Sequence, residues 1–180
     1  VDQYAPDKIR PFLKLSRLDR PTGSWLLIIP CWWGLMLSTN NTQTTADLST
    51  VYIAIACYFG GLLMRGAGCT WNDITDSNLD AKVFRTMNRP IASGQLSKTH
   101  AYVWLIFQCS IALGLLLTFN KIAIILGLLS IFTVIIYPYA KRFTYWPQFF
   151  LGISFNWGIL LAFAANSNYL TLNTFFLYIV

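Results

Sequence analysis

The chain is 180 residues long, 56% hydrophobic and only 11% charged, where a soluble domain carries about 25% charged residues. That composition, with a mean hydropathy of +0.52, excludes an ordinary soluble domain and points to an all-α, polytopic transmembrane helix bundle. The net charge of +6 does not signal nucleic acid, because the cations gather at one set of helix ends.

Residues 1–20 set Ile9, Phe12, Leu15 and Leu18 among Lys8, Arg10, Lys14 and Arg17, the pattern of an amphipathic helix lying on a membrane surface. Pro21 and Gly23 break it, so residues 1–23 read as a surface segment and residues 24–180 as the membrane bundle. Its plain role is anchoring; the alternative is that Arg17 and Arg20 reach an anionic site nearby. Uncharged runs then predict five spans centred near residues 30, 60, 110, 130 and 157. Residues 40–45 make a polar outer turn between the first two. A sixth run begins near Tyr169 and stops at Val180, too soon to cross, so the chain reads as a C-terminally truncated bundle.

Twelve of the thirteen basic residues fall on one side of this topology and only Lys121 on the other, the positive-inside pattern. Cys31, Cys57, Cys69 and Cys109 lie in or at the ends of apolar runs without paired spacing and are expected as free thiols. The single histidine, His100, sits where a span begins and suits an interfacial role.

The second span holds Gly60, Gly61, Gly66 and Gly68, small residues that let helices approach. Arg65 lies deep in that span and either faces a polar cavity or forms a structural ion pair. If the helix continues, Asp73, Asp76 and Asp80 share one face with Asn72 beside them. Three carboxylates this close repel unless a cation sits among them, and an all-oxygen donor set suits a hard ion. Lys82, Arg85 and Arg89 follow at once. Carboxylates that hold a metal beside cations that hold phosphate oxygens make a site for a metal-diphosphate ligand.

From Ala81 to Lys98 a short amphipathic helix followed by a loop is expected, long enough to be functional; the plainer reading is a solvated basic loop. Ser130 and Thr133 suit bonds back to their own helix. Tyr137 and Lys141 are spaced i,i+4 and together suit phosphate oxygens. Asn156 in the fifth span is a polar candidate that an interhelical hydrogen bond explains equally well.

Four stretches carry a family resemblance: RLDRPTGSWLL from Arg17, MRGAGCTWNDITDSNLD from Met64, RTMNRPIASG from Arg85 and YPYAKRFTYWPQ from Tyr137. Together they resemble the UbiA-type intramembrane aromatic prenyltransferases, in particular the 4-hydroxybenzoate polyprenyltransferases of ubiquinone biosynthesis. The resemblance implies a nine-span bundle around a cavity, of which five to six spans are present here, and Mg2+ held by two aspartate-rich motifs. The first motif maps to Asn72, Asp73, Asp76 and Asp80, and the YxxxK motif to Tyr137 and Lys141; the second aspartate-rich motif is absent from this sequence. The implied activity transfers a polyprenyl group from polyprenyl diphosphate to 4-hydroxybenzoate, ortho to its hydroxyl. Asp73, Asp76 and Asp80 are then expected as metal ligands, and as catalytic residues with Lys141. Asn72, Arg65, Arg85, Arg89, Tyr137, Arg17 and Arg20 are expected to bind substrate.

The implied setting is the mitochondrial inner membrane with the site on the matrix side, among other ubiquinone-biosynthesis proteins. The alternative is a bacterial plasma membrane with the site facing the cytoplasm. Two rivals remain: a related prenyltransferase acting on a haem, chlorophyll or naphthoquinone precursor, and a non-enzymatic cation-binding membrane protein. The latter predicts acidic groups near mid-membrane, whereas these carboxylates cluster at a helix end. Without the second motif, the 180 residues alone are expected to be inactive.

The topology has a direct check. Cysteines introduced at Thr44 and Ser97 are expected to react with an impermeant thiol reagent from opposite membrane faces; labelling from one face refutes the arrangement.

Overall fold

The computed structural model describes residues 5–42 and 47–179, excepting the side chains of residues 42, 140–143 and 147. Among the described residues every regular element is a helix: α1 (Arg10–Leu15), α2 (Thr22–Thr42), α3 (Leu48–Asp80), α4 (Lys98–Leu116), α5 (Lys121–Phe143), α6 (Pro147–Ser167) and α7 (Leu172–Ile179). Four of these, α3, α4, α5 and α6, are long and apolar enough to cross a membrane. They correspond to four of the five expected spans. The first expected span, α2, has the length, 21 residues, but Ser38, Thr39, Asn40 and Asn41 make its end polar. The run from Tyr169 becomes α7, eight residues long.

The surface helix is much shorter than its sequence pattern suggested. Among its described residues only Arg10–Leu15 is helical, because the chain turns left-handed at Arg17, with φ of 57°. The Leu18 N–H bonds back to the Leu13 carbonyl at 3.1 Å, closing the helix in the manner usual for a glycine at this position. Of the outer turn expected at residues 40–45, residues 40–42 belong to α2, and residues 43–45 lie outside the described residues. Asp47 starts α3 by accepting from the Thr50 N–H at 2.9 Å, a favoured N-cap arrangement. That N–H, then the Thr50 and Ser49 hydroxyls, hold the Asp47 carboxyl below its ordinary range.

The helices interlock at small residues and buried polar pairs. The tightest approach is between α2 and α6. A Cβ on Gly34 would run into the Ile159 carbonyl, and one on Gly158 into the Cys31 sulfur, so the two helices meet backbone against backbone. Asn166 donates to Ser38 at 3.0 Å across the same seam. Cys31, Leu35, Ile53, Cys57 and Ala162 form one buried cluster between α2, α3 and α6, and all four cysteines are free.

Asn120 fastens the start of α5 to the end of α6, donating to the Ala164 and Ala165 carbonyls at 2.6 and 2.9 Å. Asn156 donates to the Tyr178 carbonyl at 3.1 Å, the interhelical bond that explains its presence in a span. Ser130 and Thr133 bond back to the Gly127 and Ser130 carbonyls as expected. Ile106, Ile125 and Phe132 remain largely exposed, as faces turned to lipid must be.

The segment 81–97 differs from expectation. It is a string of turns with no α-helix, closed by bonds such as Thr86 N–H to the Val83 carbonyl at 2.9 Å and Arg89 N–H to the Thr86 carbonyl at 3.0 Å. Its apolar Ile91 and Leu96 pack with Leu15, Ile74 and Ala101, which pulls it back over the end of α3. Val83 and Phe84, which would have formed the apolar face of a helix, stay exposed.

The α2–α6 seam sets a stability test. Gly34→Leu has no space to enter, because the opposing atoms are backbone. It is expected to cost about 2 kcal/mol, read as a lowered thermal midpoint in detergent, while the same change at Gly60, which faces open space, has little effect.

Candidate active site

The last turns of α3 carry the acidic residues, and the helix does run unbroken through them to Asp80. Asp73 is almost fully buried, 1% exposed, and Asp80 is 8% exposed. Isolated carboxylates at such depth would be strongly unfavourable. They are neutralised from two directions. Arg17 donates through Nη2 to both oxygens of Asp73 at 2.9 and 3.0 Å. Arg89 donates through Nη1 to Asp73 at 3.1 Å and Asp80 at 2.7 Å.

Each arginine is delivered by a specific local structure. The left-handed backbone at Arg17 costs a non-glycine residue about 1–2 kcal/mol, and it turns the side chain from the surface helix towards α3. Arg89 is brought back by the turns after α3. There the buried Thr86 hydroxyl donates to the Asp80 carbonyl at 3.0 Å, and Pro90 and Ile91 lie buried beside it.

Beside this cluster opens a cavity of about 790 Å3. Arg17, Arg65, Asn72, Asp73, Arg89 and Tyr137 line it, with the more exposed Arg20 and Arg85. Of the residues expected at the site, Asp76 and Asp80 do not line this cavity. Asp76 is partly exposed and Asp80 lies behind Arg89. The Lys141 side chain lies outside the described residues.

Arg65 makes no ion pair among the described residues. Its guanidinium stands 5.6 Å from the centre of the Phe155 ring, within cation–π range, and its Nε is buried without a hydrogen-bond partner. Gly23 leaves it room, since a Cβ there would strike the guanidinium. The cavity reading of Arg65 therefore holds over the ion-pair reading.

Lys14, Asn88, Ser154 and Phe155 also line the cavity. None was marked by the sequence as a site residue. Lys14 is indistinguishable from an anchoring cation, and nothing local in α6 signals that Phe155 faces an arginine ninety residues earlier.

The donor chemistry fits a hard divalent ion, since Asn72, Asp73, Asp76 and Asp80 offer oxygen ligands. Among the described residues, however, no three acidic, histidine or cysteine side chains surround a common point. The oxygens of Asp73 and one of Asp80 are engaged by guanidinium instead.

Comparison with known proteins now adds independent observations. A family model described as the UbiA prenyltransferase family matches residues 27–180. The mitochondrial 4-hydroxybenzoate polyprenyltransferase of Mus musculus is 45% identical over 165 residues, covering 92% of this chain and 43% of that protein. The human protein of the same name is 46% identical over the same shares, and the 4-hydroxybenzoate geranyltransferase 1 of Lithospermum erythrorhizon is 43% identical over 92% of this chain and 52% of its own. The chain thus spans about half the length of such relatives, or less. Among solved structures, the apo structure of a UbiA homolog from Aeropyrum pernix K1 superposes with a TM-score of 0.71 at 24% identity, over 88% of this chain and 56% of that one. That likeness establishes the fold.

The charge cluster makes its own prediction. Arg89→Gln removes the donor shared by Asp73 and Asp80 and is expected to cost about 2 kcal/mol of stability. Lys82→Gln, an equal charge change at an exposed neighbour, is expected to stay within about 0.5 kcal/mol. Thermal unfolding of both variants in one detergent measures the difference.

Proposed function

Because the chain belongs to the UbiA prenyltransferase family, we propose that it forms the donor-diphosphate part of a 4-hydroxybenzoate polyprenyltransferase of ubiquinone biosynthesis. The observation that carries this reading is the meeting of Arg17 and Arg89 on Asp73 and Asp80 beside a large cavity. A diphosphate is well met by guanidinium groups held in place, and the site holds two guanidinium groups parked on carboxylates.

In this reading Asp73, Asp76 and Asp80 would hold Mg2+, which when bound would supply charge neutralisation for the diphosphate. The protein's own residues do the rest. Arg17 and Arg89 balance the carboxylates before substrate arrives and then turn to phosphate oxygens, with Arg20, Arg85 and Asn72 close by. Tyr137 and Lys141 donate to the departing diphosphate as the C1–O bond breaks with its electron pair leaving on oxygen. The allylic cation so formed alkylates the ring of 4-hydroxybenzoate ortho to the hydroxyl, and the proton on that carbon leaves to the released diphosphate as the ring regains its aromaticity. The apolar Leu27, Val134 and Leu151 wall suits the prenyl chain and keeps water from the cation. Arg65 is the group we assign to the benzoate carboxylate, since its Nε lacks a partner and Phe155 offers an aromatic face beside it.

Residues 1–23 then act as a separate segment that delivers Arg17 and Arg20 to a bundle formed by residues 24–180. The mitochondrial names of the relatives support a mitochondrial membrane. The gathering of cations on the site's side supports the inner membrane with the site facing the matrix.

The test is an assay of the chain extended to the length of its relatives, with Mg2+, 4-hydroxybenzoate and a polyprenyl diphosphate. Asp76→Asn is expected to reduce transfer by about a hundredfold or more while membrane insertion stays intact. Wild-type turnover by that variant at limiting Mg2+ would falsify the metal assignment.

A further inference from the structure

The left-handed backbone at Arg17 is held from the middle of α4. Ser16, the residue before it, is only 2% exposed. Its hydroxyl accepts from Trp104 Nε1 at 2.8 Å and from Gln108 Nε2 at 3.0 Å, which uses both of its lone pairs. Trp104 and Gln108 are spaced i,i+4 and therefore share one face of α4. Gln108 is 4% exposed in the middle of an apolar helix, where an amide is unfavourable without a task. Its carbonyl oxygen has no hydrogen-bond partner, so its contribution is the bond that its nitrogen gives to Ser16.

Two further features are arranged around that bond. On α3, a Cβ at Gly66 would run into the Gln108 amide nitrogen and come within 3.1 Å of the Ser16 Cβ; glycine lets the two side chains meet. Trp104 in turn packs against Phe12 of α1 with ring centres 5.4 Å apart and stacks on Phe107 at 5.5 Å. The turn is thus gripped on its helix side by an aromatic contact and at Ser16 by two hydrogen bonds. Immediately after it, the Arg17 guanidinium spans both oxygens of Asp73.

We propose that Ser16, Trp104 and Gln108 are positioning residues: by fixing the Ser16 hydroxyl they hold the turn that aims Arg17 into the cavity, and thereby set the affinity for a prenyl diphosphate. The proposal rests on the reading of Arg17 as a diphosphate contact. A clamp that only stabilised the fold would change the melting temperature equally with or without Arg17, whereas a positioning clamp matters to binding only while Arg17 is there to be aimed.

The experiment is a double-mutant cycle in the full-length protein in membranes with excess Mg2+. Binding of geranyl diphosphate, the probe, is measured together with thermal stability. Arg17→Gln is expected to weaken binding about tenfold, the loss of a charge-assisted contact. Ser16→Ala and Gln108→Met are each expected to weaken it about fivefold in the wild-type background and to have no further effect when combined with Arg17→Gln. Trp104→Phe, which keeps an aromatic ring beside Phe12 but loses the indole N–H together with its five-membered ring, gives the same readout if Ser16→Ala does not fold. Equal losses in both backgrounds, or unchanged binding by the folded single variants, overturn the proposal. If Arg17→Gln alone leaves binding unchanged, the assignment of Arg17 to the diphosphate fails, and the proposal fails with it.

Discussion

Two guanidinium groups lying on two buried carboxylates are the constraint from which the inner end of this molecule is built. A helix 33 residues long cannot end in buried aspartates unless opposite charge is brought to them, because their desolvation outweighs any packing gain there. The nearest supply on α3 itself, Arg65, points into the cavity. The charge comes instead from sequence separations of 56 and 16 residues, and both donors sit on irregular backbone. Neutralising Asp73 and Asp80 therefore requires the short α1 to stop where it does and the turns after α3 to fold back.

The same demand explains why a strained backbone lies beside a polar cavity. Arg17 adopts a conformation that favours glycine, and the compensation is spread over Leu15 in the buried cluster, the Ser16 hydroxyl and the bidentate contact with Asp73. Strain held by its surroundings in this way is typical of sites that present a side chain to a ligand. Opposite this polar end, the bundle is closed by neutral contacts: Asn120 on α6 carbonyls and Asn166 on Ser38.

Much of this was legible in the chain. The spans follow from apolar length, and the helix runs on through Asp73 to Asp80 as the shared face of the aspartates required; Arg17, Arg65, Asn72, Asp73, Arg89 and Tyr137, all marked beforehand, line one cavity. What was not legible depends on pairings between distant segments. The i,i+3,i+7 pattern treats the aspartates alike, yet Asp73 and Asp80 are buried and share an arginine while Asp76 is partly exposed. An alternation of basic and apolar residues suggested a long surface helix, because no local signal marks a non-glycine residue that turns left-handed. The short helix after Ala81 failed for a related reason. Ile91 and Leu96 were drawn into a cluster with Leu15 and Ala101, and tertiary burial outweighed local periodicity.

The meeting of Gly34 with the Ile159 backbone also bears on how the chain is made. The α2 helix emerges from the ribosome more than a hundred residues before its main partner α6, so its close-fitting face spends the synthesis of three further helices without its counterpart. Long-range pairings of this kind form late and slowly. The polar end of α2, poorly suited to lipid on its own, gains the Asn166 contact at Ser38 only when α6 is made. Assembly order thus places the closing of the α2–α6 seam after the synthesis of the three intervening helices.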